Sequence, residues 1–414
     1  MLKLIETFSG IGAQAQALKN LNVDYKTVTT VDWEVGAIYA YDIIHNGEQD
    51  LTEYRHHNKE SLIESVGRFN LSGDGKKALS DKALQAMSTI QLKKILAAIN
   101  RTKNLVDITQ VHASDLPEGD ILTYSFPCQD LSAGRYWHHY TGGIDRDANN
   151  RSTLLWQIER ILKEYKMLAK PMPRFLLMEN VSDILSSKNI DNFREWQRFL
   201  EKMGYVNKVS TLDARNFGIP QSRVRTYMLS VRADSETQAD YIDEYLMDND
   251  LEMIALPDEK IRKIGEFLRL DYSNPIYRQE AVDSTPNYTT SREKIYHNSR
   301  TLAIDDKPQD NVFARTVTTK QDRDPNSGII KYKKNRIASW KNDYYRNLTP
   351  RECFLLMGFE EKDFDNLEAQ NDVVRKGQKM LPQSKLIKLA GNSIVVPVLE
   401  AIFRQVVELN HQLD

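Results

Sequence analysis

The stretch LKLIETFSGIGAQAQAL (residues 2–18) starts with an apolar run, passes two closely spaced glycines and continues with helix-forming residues. An apolar run followed by a glycine turn and a helix is typical of a parallel strand that leads into a crossover helix. Gly10 and Gly12 permit a tight turn and allow a ligand to approach the backbone closely. The stretch therefore predicts the first strand of an α/β fold, with a ligand-binding loop at its carboxyl end.

The same alternation of strands and helices continues along the next 200 or so residues. Apolar runs predict further strands at 25–33, 120–126, 174–180 and 224–231, and amphipathic periodicity predicts helices at 35–44 and 152–168. Residues 50–105 are charged and helical in character, and we interpret them as an insertion. The pattern predicts an α/β fold with a doubly wound, mostly parallel sheet, whose ligands bind at the carboxyl ends of the strands.

The alternation ends near residue 232. Residues 233–350 are polar and irregular, and strong helical periodicity returns at 349–359 and 390–410. We therefore predict one domain formed by residues 1–232 and 385–414, on which the last helix packs. The segment 233–384 is predicted to form a second, smaller, irregular β-rich domain with its hinge.

Composition limits the class of protein. A chain of 414 residues that is 41% hydrophobic can form two cores, and 2 Cys cannot form a disulfide framework or a four-cysteine zinc site. The N-terminus has no signal-peptide pattern, and no apolar run approaches membrane-spanning length. We expect a cytoplasmic protein with no membrane partner and no metal.

The formal net charge of −2 conceals two blocks of opposite sign. Residues 233–260 carry ten acidic side chains and one Lys, whereas residues 315–351 carry ten basic side chains and three Asp. Tyr332 and Trp340 lie within the basic block. Basic residues interleaved with aromatic ones favour a phosphate-binding face for nucleic acid, and a solvated charged surface is the alternative.

Acidic residues at two further positions narrow the class of ligand. Asp32 and Trp33 end the second predicted strand about 20 residues after the glycines, where an acid binds ribose hydroxyls and an indole can stack on adenine. Asp107, followed by Ile108, could accept from an adenine amino group. The loop lacks the third glycine of the dinucleotide fingerprint. These residues jointly predict a nucleoside cofactor, S-adenosylmethionine, although a helix cap, a buried Trp and a turn Asp are the structural alternatives.

The segment LTYSFPCQDLS (122–132) places one of the two cysteines after a proline at a strand end. A thiolate is a strong nucleophile where positive neighbours or backbone donors lower its pKa. Cys128 is therefore the candidate nucleophile, with a small buried apolar residue as the alternative. Cys353 lies on an apolar helical face and is predicted to belong to the core.

Eight motifs in order resemble those of the DNA (cytosine-5)-methyltransferase family, of the bacterial restriction-modification or orphan type. They are TFSGIGA (7–13), VDW (31–33), VDITQV (106–111), SFPCQDLS (125–132), LLMENV (176–181), NFGIPQSRVRTYML (216–229), LTPRECFLLMGF (348–359) and AGNSIVVPVLEAI (390–402). The resemblance covers nearly the whole chain. It implies a Rossmann-like, S-adenosylmethionine-dependent catalytic domain and a target-recognition domain at 233–384.

The resemblance also implies a reaction. Cys128 would add to carbon 6 of a cytosine flipped out of the duplex, and Glu179 would hold or protonate ring nitrogen 3. Arg225 would donate to the 2-oxo oxygen, while Arg223 would support the charge pattern around Glu179 and the thiol. A solvated acid and ordinary salt bridges are the structural alternatives for these three residues.

Cofactor contacts follow from the same resemblance and from the loop described above. They are expected at Phe8, Gly10, Ile11, Gly12, Asp32, Trp33, Asp107, Ile108, Pro127, Leu154, Asn392 and Ser393. For the last two, a helix N-cap is the alternative, and both roles are compatible.

Contacts with double-stranded DNA are expected from two segments. Residues 131–151, rich in glycine and aromatic side chains, are interpreted as an active-site lid with Ser132 and Tyr136 against DNA, or alternatively as a self-packed Ω-loop. The segment 313–328 resembles the family's recognition-loop element. It suggests the candidate contacts Thr316 and Thr318 to the backbone and Gln321 and Arg323 to bases.

Other functions are less well supported by the residues. A tRNA-directed cytosine-5 methyltransferase shares most of the motifs, and a catalytically inactive DNA-binding relative would be expected to lack the catalytic set, which is complete here. An amino-directed DNA methyltransferase would need a Pro-Pro-aromatic strand end in place of Phe-Pro-Cys. A Cys-His hydrolase would need a partnered His. We expect a monomer, with a companion restriction endonuclease as a possible partner.

Overall fold

The structure is a computed structural model that describes residues 1–127, 143–146, 151–321, 325–332 and 345–413. The chain divides into two compact units. The first comprises Met1–Leu212, Val224–Ile254 and Leu399–Asp414, and the second comprises Asp213–Arg223 and Ala255–Val398.

The described residues form fourteen strands. Their bounds are β1 Leu2–Thr7, β2 Tyr25–Val31, β3 Ile121–Tyr124, β4 Phe175–Asn180, β5 Tyr205–Asp213, β6 Gln221–Ser222, β7 Val224–Arg232, β8 Thr301–Ile304, β9 Lys307–Pro308, β10 Ala314–Arg315, β11 Ile329–Lys331, β12 Tyr345–Asn347, β13 Val373–Arg375 and β14 Gln378–Lys379.

Fourteen α-helices lie in the same described ranges. They are α1 Ala13–Asn20, α2 Val35–Asn46, α3 Lys59–Gly67, α4 Asp81–Gln85, α5 Thr89–Thr102, α6 Leu155–Met167, α7 Ile190–Lys202, α8 Glu236–Asp248, α9 Pro275–Asp283, α10 Thr290–Asn298, α11 Pro350–Leu356, α12 Glu361–Ala369, α13 Gln383–Asn392 and α14 Val396–Leu413. The predicted insertion contains α3, α4 and α5.

A six-stranded sheet in the order β2-β1-β3-β4-β7-β5 is the centre of the first unit. β1 to β4 pair in parallel, and β7 runs antiparallel to β4. The strand order reverses between β1 and β3, which places the ligand crevice of a doubly wound sheet at their carboxyl ends. The predicted α/β fold with a mostly parallel, doubly wound sheet is confirmed.

The core on one face of this sheet explains the predicted strands and helix. β1 contributes Ile5 and β3 contributes Leu122, both fully buried. The apolar stripe of α6, which includes Ile158 and Leu162, packs into the same cluster. Burial on both faces of parallel strands requires nearly continuous apolar runs, and this is why β1, β3 and β4 are readily recognised in the sequence.

Two elements of this sheet layer were absent from the prediction. α7 buries only Phe193, Trp196 and Leu200 among charged residues, and β5 is mainly half-buried at the edge of the sheet. The Trp196 indole donates to the Tyr124 hydroxyl at 3.1 Å, so α7 is tied to β3. An edge strand such as β5 carries a weak periodic signal, whereas the spacing of Phe193, Trp196 and Leu200 in α7 is a regular helical stripe that the sequence analysis overlooked.

The second unit contains short strands, as predicted, together with helices that were not predicted. A four-stranded sheet has the order β12-β11-β8-β9, β13 pairs with β14, and β10 pairs in parallel with β6. Helices α9 to α13 lie between and after these strands. The prediction of an irregular β-rich domain therefore describes the strands of this unit but omits its helices.

The boundaries of the units differ from the predicted ones. α8 lies beyond residue 232 but belongs to the first unit, where its Tyr245 hydroxyl donates to Glu408 of α14 at 2.5 Å. Lys208 of β5 also pairs with Asp250 at 2.8 Å. These polar contacts join segments distant in sequence, so no local change of composition marks them.

The C-terminal segment Gln383–Leu413 is, among the described residues, the one segment long and apolar enough to cross a membrane. Its most apolar window is 67% buried within the protein, as in the core helices of soluble proteins. Within the first unit, Glu400 of α14 accepts from Asn20 of α1 at 2.7 Å. Burial accounts for its apolar character.

Candidate active site

The loop after β1 has an unusual backbone. Phe8, Gly10 and Gly12 all adopt positive φ, at 54°, 53° and 78°. The Phe8 N–H donates to the Val31 carbonyl at 2.7 Å, which folds the loop over the end of β2. Positive φ is costly for a residue with a side chain, so the surrounding structure must maintain it at Phe8.

Asp32 joins this loop to the end of β2. Its Oδ2 accepts from the Gly10 N–H at 2.9 Å, and its Oδ1 accepts from the Glu34 N–H at 2.8 Å. Asp32 and its neighbour Trp33 are half-buried. The predicted strand-end acid is therefore held beside the glycine loop, with part of its surface accessible.

The two glycines of the loop face different surroundings. A Cβ on Gly12 would lie 2.1 Å from His45 Nε2 and 2.7 Å from Tyr41, whereas a Cβ on Gly10 would meet none of the described residues within 4 Å. The inner side of the loop is therefore closely packed and its outer side is open. An open outer side next to a held carboxylate fits a nucleoside cofactor such as S-adenosylmethionine.

A buried polar cluster beneath the loop was not predicted. The Tyr41 hydroxyl donates to Glu6 Oε2 at 2.8 Å, and His45 Nε2 lies 3.0 Å from the Ile11 carbonyl oxygen, to which it must donate. Burial raises the pKa of Glu6 to about 8 and lowers the pKa of His45 to about 4. Both groups are therefore neutral near pH 7, and the neutral imidazole anchors the loop from α2. An acidic residue within an apolar strand is the one signal that the sequence offers for this cluster.

Replacing Glu6 by Gln is expected to flatten the pH dependence of stability. The pKa of Glu6 in the folded state is about 8, against an ordinary value of 4.5, so the stabilisation is complete below pH 4.5 and is lost as the pH rises through 8. At about 1.4 kcal/mol per pH unit, the free energy of unfolding of Glu6→Gln relative to wild type should rise by a few kcal/mol between pH 5 and pH 8. Urea-unfolding midpoints at both pH values measure this.

The exposed acid Glu53 provides the matched control, since Glu53→Gln should leave the pH dependence unchanged. Equal slopes for Glu6→Gln and wild type would show that Glu6 titrates near its ordinary pKa.

The predicted catalytic acid lies at the end of β4. Glu179 Oε1 is 3.4 Å from Arg225 Nε, and the two side chains are 13% and 17% exposed. β4 and β7 are antiparallel, and Asn180, the last residue of β4, lies opposite Thr226. Arg225 directly precedes Thr226 in β7 and therefore lies at the same rim of the sheet as the end of β4. The structure therefore brings together Glu179 and Arg225.

The strand that leads to Cys128 is held at the same rim. Asn180 Nδ2 donates to the Phe126 carbonyl at 3.1 Å, and the Ser152 hydroxyl donates to the Pro127 carbonyl at 2.9 Å. Pro127 is half-buried and directly precedes the candidate nucleophile. Asn180 and Ser152 are positioning residues that the site analysis of the sequence did not include. Cys128, Ser132 and Tyr136, and the lid except residues 143–146 and 151, lie outside the described residues.

The remaining predicted cofactor residues of the first unit are at least partly buried. Ile11 and Ile108 are buried, and Asp107 and Leu154 are half-buried. Cys353, in the second unit, is fully buried, and burial raises the pKa of its thiol far above the ordinary range, which confirms its assignment to the core.

Arg223 lies within the second unit and is 4% exposed. Its guanidinium donates to the carbonyls of Val317 at 3.0 Å, Gly391 at 3.1 Å and Ser393 at 2.7 Å. It thus ties the Thr316–Thr318 segment to the turn after α13. The structure gives Arg223 an anchoring role there, which sequence reasoning did not foresee.

The turn after α13 also departs from prediction. The predicted helix 390–410 is interrupted, since α13 ends at exposed Asn392 and buried Ser393 is its C-cap. Asn392 and Ser393 therefore terminate one helix, whereas the sequence suggested an N-cap for the next.

Among the candidate DNA contacts of the second unit, Thr316 and Thr318 are half-buried, whereas Gln321 is buried. Thr316 Oγ1 donates to the Ser222 carbonyl at 2.8 Å, and Thr318 Oγ1 donates to the Lys320 carbonyl at 2.9 Å. Gln321 is only 2% exposed and accepts from Ser327 at 2.8 Å. In this structure the Gln321 side chain is not accessible to a base edge, because it packs inside the loop. Arg323 lies outside the described residues.

Comparison with known proteins gives consistent matches. Residues 61–408 match the family model described as C-5 cytosine-specific DNA methylase. The chain is 29% identical over 416 residues to the orphan methyltransferase M.SssI of Spiroplasma monobiae, covering 98% of this chain and 97% of that protein. It is also 29% identical over 410 residues to the type II methyltransferase M2.ScrFI of Lactococcus lactis subsp. cremoris, covering 98% and 99%.

Solved structures show the same fold. The Dnmt2 methyltransferase of S. pombe aligns with a TM-score of 0.61 at 18% identity and covers 99% of both chains. The methyltransferase EhMeth of Entamoeba histolytica aligns with a TM-score of 0.56 at 15% identity, covering 100% of this chain and 99% of the other.

Proposed function

The chain belongs to the C-5 cytosine-specific DNA methylase family, and from this premise we propose how this DNA cytosine-5-methyltransferase acts. It transfers a methyl group from S-adenosylmethionine to carbon 5 of a cytosine that is flipped out of a specific duplex sequence. The transfer proceeds through a covalent adduct between Cys128 and carbon 6. The observation that carries this proposal is the pairing of Glu179 with Arg225 at the strand rim that also holds Pro127, the residue before Cys128.

The first unit offers a fitting cofactor site. The open side of Gly10, the carboxylate of Asp32 and the half-buried ring of Trp33 would hold the amino-acid and ribose parts and one face of adenine. Asp107 and Ile108 would contact the adenine edge, and Phe8, Ile11, Gly12, Pro127 and Leu154 would complete the contacts. S-adenosylmethionine supplies an electrophilic methyl group on a sulfonium sulfur. By resemblance, Asn392 and Ser393 are also proposed as contacts.

Carbon 5 of cytosine is a poor nucleophile, so the ring must be activated. The Cys128 thiolate adds to carbon 6, and the displaced electron pair makes carbon 5 nucleophilic. Glu179 holds a proton at ring nitrogen 3, which prevents negative charge from building on the ring. After carbon 5 has accepted the methyl group, a base removes its proton, the bond from Cys128 to carbon 6 breaks, and the aromatic ring is restored.

Arg225 supports this chemistry in two ways. Its Nε lies 3.4 Å from Glu179 and orients the carboxylate at the end of β4. Its guanidinium is also proposed to donate to the cytosine 2-oxo oxygen, which polarises the ring for thiolate addition at a rim partly shielded from water. Arg223 is proposed to act indirectly, by holding the recognition segment in the second unit.

DNA is the substrate class of the family, and its recognition is assigned to the second unit. Thr316 and Thr318 are proposed to contact the DNA backbone, and Arg323 and the lid residues Ser132 and Tyr136 to contact the target site. A cytosine inside a stacked duplex cannot be attacked from above its ring, and base flipping removes this barrier. We further propose a cytoplasmic monomer. The type II name of one relative supports a companion restriction endonuclease.

Bisulfite sequencing tests the proposed function. A plasmid incubated with the protein and S-adenosylmethionine should show cytosines protected from conversion at one recurring sequence, and the same plasmid without S-adenosylmethionine should show none. Methylated tRNA together with an unmodified plasmid would instead support the tRNA-directed alternative and would overturn the proposal.

A further inference from the structure

The insertion reaches the candidate cofactor site. Ser72, which is fully buried, donates its N–H to the Trp33 carbonyl at 2.7 Å and accepts from the Val35 N–H at 2.9 Å. This is a one-residue parallel bridge next to the carboxyl end of β2. The main chain on both sides of Glu34 is therefore held by the insertion, beside the residues proposed to bind ribose and adenine.

The bridging segment, residues 70–77, is itself well ordered by internal bonds, and we call it the insertion wall. The Ser72 hydroxyl donates to the Lys77 carbonyl at 2.6 Å and accepts from the Gly75 N–H at 2.9 Å. Leu71, at 2% exposure, accepts from the Leu79 N–H at 2.7 Å. The insertion wall is thus a closed turn anchored by buried residues.

Two side-chain contacts connect the insertion wall to other parts of the candidate site. Asn70 Nδ2 donates to Asp107 Oδ2 at 2.5 Å, and Arg151 Nη1 donates to the Gly75 carbonyl at 3.4 Å. Asp107 Oδ1 accepts from the N–H and the hydroxyl of Thr109 at 2.9 and 2.7 Å. Each carboxylate oxygen can accept more than one hydrogen bond, so Asp107 is oriented from both sides and can still accept from a ligand.

We propose that the insertion wall forms the outer side of the nucleoside site and that Asn70 is a positioning residue, which holds Asp107 for the 6-amino group of adenine. The inference rests on the proposed function, because it takes Asp107 as the adenine contact. It assigns the insertion a part in choosing the cofactor: a purine with a 6-amino group donates to the held carboxylate, whereas a 6-oxo purine presents an acceptor and is repelled.

The test compares two product analogues, S-adenosylhomocysteine and S-inosylhomocysteine, by calorimetric titration of the full chain. Because a hydrogen bond to a charged group is involved, wild type should bind the adenosyl compound at least about tenfold more tightly. Asn70→Ala should reduce this preference about threefold or more, mainly by weakening adenosyl binding. Asp107→Ala should abolish it.

Asn58→Ala is the matched control, since Asn58 caps α3 in the same insertion by accepting from the Ser61 N–H at 2.8 Å. It should leave the preference unchanged, and thermal melts should show that all variants are folded. An unchanged preference in Asn70→Ala, with a loss in Asp107→Ala, would overturn the inference and leave the proposed cofactor site standing. An unchanged preference in both variants would overturn the adenine contact itself and the inference with it.

Discussion

Replacing Cys128 by Ser is expected to reduce methyl transfer to duplex DNA by more than about a thousandfold, because a hydroxyl is a far weaker nucleophile than a thiolate. DNA affinity should change little, since binding uses backbone and base contacts elsewhere. Transfer of a radiolabelled methyl group measures the activity, and a gel-shift titration measures binding. Cys353→Ala is the matched control, because Cys353 is the other cysteine and is fully buried in the second unit.

A mechanism-based trap separates covalent catalysis from a structural role of the thiol. With S-adenosylmethionine present, duplex DNA with 5-fluorocytosine at the target should form a wild-type complex that survives denaturing detergent, because after methylation of carbon 5 the fluorine cannot leave as a proton does and the bond from Cys128 to carbon 6 cannot break. Cys128→Ser should form no such complex, whereas Cys353→Ala should form it normally. Full methylation by Cys128→Ala, or a wild-type complex that dissociates in detergent, would contradict addition at carbon 6.

Replacing Glu179 by Gln is expected to lower kcat about a hundredfold or more, the usual scale for loss of a general acid or base. The amide keeps the shape of the side chain and can still contact ring nitrogen 3, but it cannot supply or hold a proton there. The KM for DNA should therefore change only a few-fold. Steady-state kinetics at saturating S-adenosylmethionine separates the two parameters.

The exposed acid Glu236 serves as the control for this change, and Glu236→Gln should retain wild-type kinetics. Glu179→Gln should also slow the formation of the 5-fluorocytosine complex, because addition at carbon 6 precedes methyl transfer. Wild-type kcat in Glu179→Gln would show that another group provides the proton, and Glu179 would then be only the partner of Arg225.

The fold was predictable where burial imposes a pattern on the chain. β1, β3 and β4 are buried along nearly their whole length, so each is an apolar run, whereas β2 is an edge strand that is buried only toward its carboxyl end and is rich in β-branched residues. β5 was missed because an edge strand places few constraints on composition, whereas α7 was overlooked although Phe193, Trp196 and Leu200 repeat at helical spacing. α8 was missed, since Ile242 and Leu246 are its only buried residues within the described chain.

The residues of the candidate site likewise fall into those that local sequence predicted and those that only the folded structure revealed. The glycine loop, Asp32 and Glu179 follow directly from strand ends and motifs that are local in the sequence. His45 beneath the loop, Asn180 on Phe126, and Asn70 on Asp107 join residues separated by 34, 54 and 37 positions. A sequence motif indicates which residues form a site, but it does not indicate the side chains from distant segments that orient those residues.

Local order along this chain was sufficient to predict the alternating α/β pattern and the position of the glycine loop, and to propose Cys128 and Glu179 as reactive groups. Backbone conformation and the identity of a reactive group depend on a few neighbouring residues, so short stretches of sequence are enough to predict them. Three-dimensional packing alone decided that Arg223 donates to three backbone carbonyls, that Gln321 is buried, and that Ser72 of the insertion bridges to Glu34 after β2. Hydrogen bonds and burial depend on distances between remote segments, and those distances exist only after the chain has folded.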